Sequence, residues 1–92
     1  MTATERVDVH YSGRVQGVGF RHTTSVLARG FEVTGFVQNL PDGRVRLVAE
    51  GESGEVQRFL DAIDEELGSL IRQTSIDRLA ATGEFGRFTI RY

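Results

Sequence analysis

The sequence predicts an α+β sandwich in which two helices cover one face of an antiparallel sheet. Three observations carry this. Apolar and polar residues alternate over several short stretches, apolar residues recur at helical spacing over two others, and these segments follow one another in the order β-α-β-β-α-β. Ninety-two residues make one domain, 1–92, with a single core and no room for a separate cofactor domain.

Val7, Val9 and Tyr11 alternate with Asp8, His10 and Ser12, which predicts a half-buried strand over about 5–13. Phe20, Thr24, Leu27, Ala28 and Phe31 then fall on one helical face, giving a helix over roughly 20–30, with Gly30 placed to close it in a left-handed cap. Val33, Gly35 and Val37 share a strand face with Asn39. The turn Pro41-Asp42-Gly43 leads from there into a second arm, Val45–Ala49, so the two strands form a hairpin. Ser53 is the expected N-cap of a second helix, in which Val56, Phe59, Leu60, Ile63 and Leu67 line one face and Gly68 ends the run. A strand around Ser75–Ala81, a turn at Gly83–Gly86 and a short strand Phe88–Tyr92 complete the chain. Met1–Thr4 is the one segment expected to be disordered. The arrangement is a ferredoxin-like split βαβ sandwich, a fold that hosts sensors, metal carriers, RNA binders and enzymes alike.

Composition narrows the chemistry. The absence of cysteine excludes disulfides, thiolate metal sites and cysteine nucleophiles, and it fits the reducing cytoplasm. A net charge of −2 argues against broad binding to nucleic acid or anionic membrane. Met1–Arg6 is polar and no apolar run approaches the length of a membrane span, so neither a leader nor a membrane partner is expected.

The most informative stretch is Gly13-Arg-Val-Gln-Gly17-Val-Gly19-Phe-Arg21, which joins the first strand to the first helix. Glycine admits positive φ and lets a ligand approach without meeting a Cβ, so successive N–H groups can converge on an anion. A helix start adds unpaired donors and the positive end of a dipole. A cation such as Arg21 is unfavourable in a first helical turn unless an anion sits beside it. A plain glycine-rich connector with a surface arginine explains the spacing equally well, because Gly-x-x-x-Gly-x-Gly is neither the dinucleotide fingerprint nor a Walker A loop.

The segments Gly13–Arg21, Gly35-Phe-Val-Gln-Asn39, Leu40-Pro-Asp-Gly43, Glu50-Gly51 and Phe88-Thr-Ile-Arg-Tyr92 together resemble the acylphosphatases, over nearly the whole chain. The resemblance implies a metal-independent hydrolase that needs no cofactor. Its phosphate-binding loop is Val15, Gln16, Gly17, Val18, Gly19, Phe20 and Arg21, with Arg21 holding the phosphate and Asn39 orienting the attacking water. The substrate it implies is a small acyl phosphate, with inorganic phosphate or sulfate as competing anions, acted on by a monomer. The sequence departs from the usual pattern at Gln38, where a basic residue is common, and at His22, where an aromatic is common. Gly68–Gln73 also lacks the proline-containing turn often found after the second helix, which bears on loop shape and substrate preference.

Elementary chemistry agrees with that implication. An acyl phosphate releases a stabilised carboxylate, so its hydrolysis calls chiefly for charge stabilisation and a placed water. A guanidinium fork and loop N–H groups match the phosphoryl oxygens. Asn39 offers one acceptor and two donors without charge, which suits it to steering water and not to removing its proton. As a residue in its own right Asn39 could equally be a turn-former ahead of Pro41-Asp42-Gly43.

Other candidates are weaker. His10 and His22 read as surface histidines, the latter turned about 100° around the helix from Arg21. No carboxylates or histidines stand at metal-ligand spacing, and no serine has a local base. The strand Arg44–Glu50 carries no aromatic residue on which an RNA base could stack, and no Cys-x-x-Cys marks a metal carrier. The competing reading is a catalytically silent anion- or ligand-binding module of the same fold; the presence of both Arg21 and Asn39 favours the enzyme.

Overall fold

The computed structural model describes residues 3–92. The elements run β1 (Thr4–Gly13), α1 (Phe20–Ala28), β2 (Thr34–Asn39), β3 (Val45–Glu52), α2 (Ser53–Leu67), a 3₁₀ turn (Gly68–Leu70), β4 (Ile71–Ala80) and β5 (Phe88–Arg91). The sheet order is β4-β1-β3-β2-β5. The four longer strands pair antiparallel, and β5 joins β2 in parallel, which makes the five-stranded sheet mixed.

Register follows the period-2 pattern. Val7 faces Ala49, Val9 faces Leu47 and Tyr11 faces Val45, while on the other flank of β3 the partners are Gly35, Val37 and Asn39. All of these point toward the helices, so the apolar row of β2 ends in a polar residue, Asn39, on the inward face. Phe20, Thr24 and Ala28 of α1 and Val56, Phe59, Leu60, Ile63 and Leu67 of α2 are the buried helical residues that close the core over this row. Gly35 is where two backbones meet most closely: a Cβ there would stand 1.9 Å from the Val48 carbonyl oxygen.

The opposite face of the sheet is largely polar, with Phe36 and Val48 buried on it. Arg46 grips Asp8 with two hydrogen bonds of 3.0 and 2.7 Å. Because β4 and β5 lie at opposite edges, the segment 81–87 crosses this face, and it does so at the end of the sheet where β1 begins and β3 ends. Glu50, 4% exposed, accepts hydrogen bonds there from Arg6 Nε (2.6 Å), Thr82 N (3.0 Å), Thr82 Oγ1 (3.1 Å) and Gly83 N (2.9 Å). Arg6 also pairs with Glu84 and lies 5.0 Å from the Phe85 ring centroid.

Four expectations are corrected. α1 ends at Ala28, and Gly30 is not left-handed; the Arg29, Gly30 and Phe31 N–H groups close the end by bonding three residues back, to Val26, Leu27 and Ala28. Glu52, not Ser53, caps α2: its carboxylate accepts from Gly54 N (3.0 Å) and Glu55 N (2.9 Å), placing negative charge at the positive end of the helix. β4 begins at Ile71, four residues earlier than its pattern suggests, because it is an exposed edge strand paired only with β1, so its residues do not alternate clearly. Thr4 lies in β1 opposite Glu52, and Ala3 O accepts from Ser53 N, so the expected disorder does not extend to them; Met1 and Thr2 lie outside the described residues.

Candidate active site

The glycine loop and the ends of β2 and β5 meet at the end of the sheet opposite the Glu50 network. Arg14 N donates to Leu70 O at 2.8 Å and pins the base of the loop to the 3₁₀ turn. Gly17 (φ 75°) and Gly19 (φ 80°) are both left-handed, and an added Cβ at either would meet nothing within 4 Å. The glycines are therefore required for backbone curvature, which turns neighbouring N–H groups toward one side. Among the described residues, the N–H groups from Val15 to Gly19 find no acceptor in the protein. Gly19 is the N-cap of α1, has no side chain to cap it, and no acidic residue occupies the first turn. The positive end of α1 is thus left for an external anion.

Packing holds that helix start in place. Phe20, the first residue of α1, is 2% exposed, and its ring centroid lies 5.3 Å from that of Tyr11. Arg21 follows on the exposed side. Among the described residues its guanidinium has no carboxylate partner, and its Cζ stands 4.9 Å from the Tyr92 ring centroid. Asn39 faces the same space from β2, and its Oδ1 is buried without a hydrogen-bond partner, a costly condition for a polar atom.

Together these residues enclose a cavity of about 220 Å³. Of the expected loop, Val15, Gly17, Gly19, Phe20 and Arg21 line it, joined by Asn39. Gln16 and Val18 do not: the Val18 side chain is 42% exposed, and the Gln16 amide is turned to the β2–β3 hairpin, donating to Leu40 O (2.8 Å) and Arg44 O (2.9 Å). His22, read from sequence as a surface residue, borders the cavity while remaining exposed. Ile90 and Tyr92 of the C-terminal segment were not anticipated at all. The signal for them was the alternation Phe88, Ile90, Tyr92. Its use required the parallel pairing of Val37 with Ile90, which brings Tyr92 level with Asn39 and which nothing in the local sequence announces.

Among the described residues, no three His, Asp or Glu side chains come together as a metal-ligand group, and no helix is long and apolar enough to cross a membrane. The cavity is lined by the Arg21 guanidinium, the backbone of the glycine loop and the Asn39 side chain, a donor-rich set for a tetrahedral oxyanion.

The acylphosphatase family model matches residues 7–90, a span that holds the loop, Asn39 and Ile90. The chain belongs to the acylphosphatase family. An acylphosphatase of Syntrophotalea carbinolica is 44% identical over 88 residues, covering 95% of this chain and 96% of its own. One from Methylococcus capsulatus is 44% identical over 88 residues, covering 94% and 95%. The crystal structure of the Bacillus subtilis acylphosphatase superposes with a TM-score of 0.87 at 32% identity, covering 96% of this chain and 99% of the other.

Proposed function

We propose that this acylphosphatase hydrolyses small acyl phosphates to a carboxylate and inorganic phosphate without a metal ion, with Arg21 and the loop N–H groups binding the phosphoryl group and Asn39 orienting the water. The observation that carries the assignment is the pairing of opposite unmet needs in one cavity. Among the described residues the N–H groups from Val15 to Gly19 meet no acceptor in the protein, Arg21 meets no carboxylate, and Asn39 Oδ1 meets no donor.

In the reaction, water oxygen attacks phosphorus while the bond from phosphorus to the acyl oxygen breaks, and that electron pair leaves on the carboxylate. The Asn39 amide hydrogen-bonds to the water and so aims a lone pair at phosphorus. An amide is no base, and the proton given up by water passes to a phosphoryl oxygen of the substrate. Arg21 and the loop donors stabilise the charge on the equatorial oxygens, and a preorganised donor of this kind contributes about 2.7–4 kcal/mol in the transition state. A monomer is taken as the active unit, and a cysteine-free chain suits the cytoplasm. The acyl group lies toward the open side of the cavity, so a broad range of acyl groups is expected.

The test is hydrolysis of an aryl acyl phosphate by the purified protein and by Arg21→Ala and Arg21→Lys, with and without a chelator. The reading expects turnover indifferent to chelator, competitive inhibition by phosphate and sulfate, and a loss of roughly 10²–10³-fold in Arg21→Ala. Arg21→Lys is also expected to be poor, because a point charge replaces a planar fork. Equal rates in wild type and Arg21→Ala, or activity abolished by chelator and restored by Mg²⁺, overturn it.

A further inference from the structure

Gln16 lies inside the anion loop, but its side chain does not serve the anion. The amide leaves the cavity and bridges the two carbonyls at the neck of the β2–β3 hairpin, Leu40 O at 2.8 Å and Arg44 O at 2.9 Å. Both neighbours are acceptors, so the orientation of the amide is fixed: Nε2 faces them and spends both of its hydrogens there. The hairpin neck is already closed by Leu40 N to Arg44 O (2.8 Å) and Gly43 N to Leu40 O (3.1 Å), and Asp42 secures Arg44 through its N–H (3.1 Å) and Nε (2.8 Å). The hairpin therefore forms without Gln16. What Gln16 adds is a tie between two segments 24 residues apart, one holding the anion and the other beginning immediately after Asn39.

We propose that Gln16 is a positioning residue that sets the distance between the phosphoryl site of the loop and the water held by Asn39. This rests on the reading of Asn39 as the water-orienting group. Loop and hairpin have no other polar link among the described residues, and the loop's backbone torsions at Gly17 and Gly19 are those of a residue type with few conformational restraints. Displacement of about 1 Å between a nucleophile and its target can cost on the order of 10²-fold in rate, so two hydrogen bonds at the loop's flank have leverage on turnover that they lack on global stability. The Gln16 main-chain N–H remains among the loop donors, so a change to its side chain leaves the anion cradle's donors in place.

The experiment is a double-mutant cycle of Gln16→Met with Asn39→Ala, measuring kcat and KM for an aryl acyl phosphate and the inhibition constant of inorganic phosphate, with circular dichroism as the check on folding. Methionine keeps the length of the side chain and removes both donors. In the wild-type background Gln16→Met is expected to lower kcat roughly tenfold or more, with the phosphate inhibition constant moved less than about threefold. In the Asn39→Ala background the same substitution is expected to cost almost nothing further, because its effect passes through Asn39. Gln16→Glu, which cannot donate, is expected to reproduce the loss in kcat and also to weaken phosphate inhibition by adding a like charge. The proposal is overturned if Gln16→Met retains wild-type kcat, if phosphate inhibition weakens as much as kcat falls, or if the loss is undiminished in the Asn39→Ala background. Normal turnover in Asn39→Ala alone would instead refute the role given to Asn39, and is separately visible.

Discussion

The two ends of the sheet hold similar side chains in opposite conditions. At the end where β1 begins, Arg6 is bound to Glu50 and Glu84, and Glu50 accepts from Arg6, from Thr82 twice and from Gly83. At the other end, among the described residues, Arg21 has an aromatic ring beside it and no carboxylate, the loop N–H groups have no acceptor, and Asn39 Oδ1 is buried unpaired. The first end spends its polar groups on the fold, tying the segment that carries the chain from β4 to β5 across the sheet. The second keeps them in reserve. A polar group left unsatisfied in a buried setting costs free energy, and such a cost is tolerated where a ligand relieves it.

Removing a reserved group should therefore reduce catalysis and spare the fold. For Asn39→Ala, kcat is expected to fall on the order of 10²-fold, while phosphate inhibition and the melting temperature stay close to wild type. Steady-state kinetics with phosphate as inhibitor, together with thermal melting, check this. An unfolded variant would mean that Asn39 serves the hairpin turn.

Removing a saturated group should do the reverse. In Glu50→Gln one charge-assisted bond set is weakened, at a cost of about 1.5–3 kcal/mol, and each kcal/mol lowers Tm by about 4–8 °C in a domain of this size. Burial alone would push the Glu50 carboxyl up, but the hydrogen bonds from Thr82, Arg6 and Gly83 outweigh it and hold the group at about 2, against an ordinary value of 4.5. The folded value is depressed, so this contribution is fully present above about 4.5 and is lost as pH falls from there toward 2. The Tm gap between wild type and Glu50→Gln is expected to be full at pH 7 and to close over that acid window, as melting at stepped pH would read. A gap that is constant with pH contradicts the ionic account.

The smallest expected effects are at the histidines. His22 borders the cavity with no acidic or basic side chain paired to it among the described residues, and His10 lies on the polar sheet face. His22→Ala and His10→Ala should leave kcat/KM within a few-fold. A large loss in either would reopen general acid–base catalysis.

How far the sequence went depends on range. Local periodicity located both helices and the β2–β3 hairpin, because each buries one face against the core. The loop was legible because Gly17 and Gly19 stand where the backbone turns left-handed. Asn39 was legible as a polar residue at the end of the inward row Gly35, Val37. What stayed hidden was non-local. The parallel pairing that brings Ile90 and Tyr92 to the site depends on β5 reaching the far edge of the sheet. The Glu50 network depends on segment 81–87 crossing it, and the cap by Glu52 in place of Ser53 depends on a side-chain reach that propensity does not encode. In sequence Gln16 is one more loop residue, because its partners lie 24 and 28 positions away.

The central claim, that the unpaired groups serve turnover and the saturated ones serve the fold, is tested most directly by one crossed measurement: kcat/KM and Tm for Arg21→Ala and Glu50→Gln side by side, at a temperature where both are folded. The account predicts that Arg21→Ala loses roughly 10²–10³-fold in kcat/KM with Tm unchanged or raised, and that Glu50→Gln loses Tm with kcat/KM within about twofold. An Arg21→Ala protein that melts early, or a Glu50→Gln protein that is well folded and inactive, would contradict it.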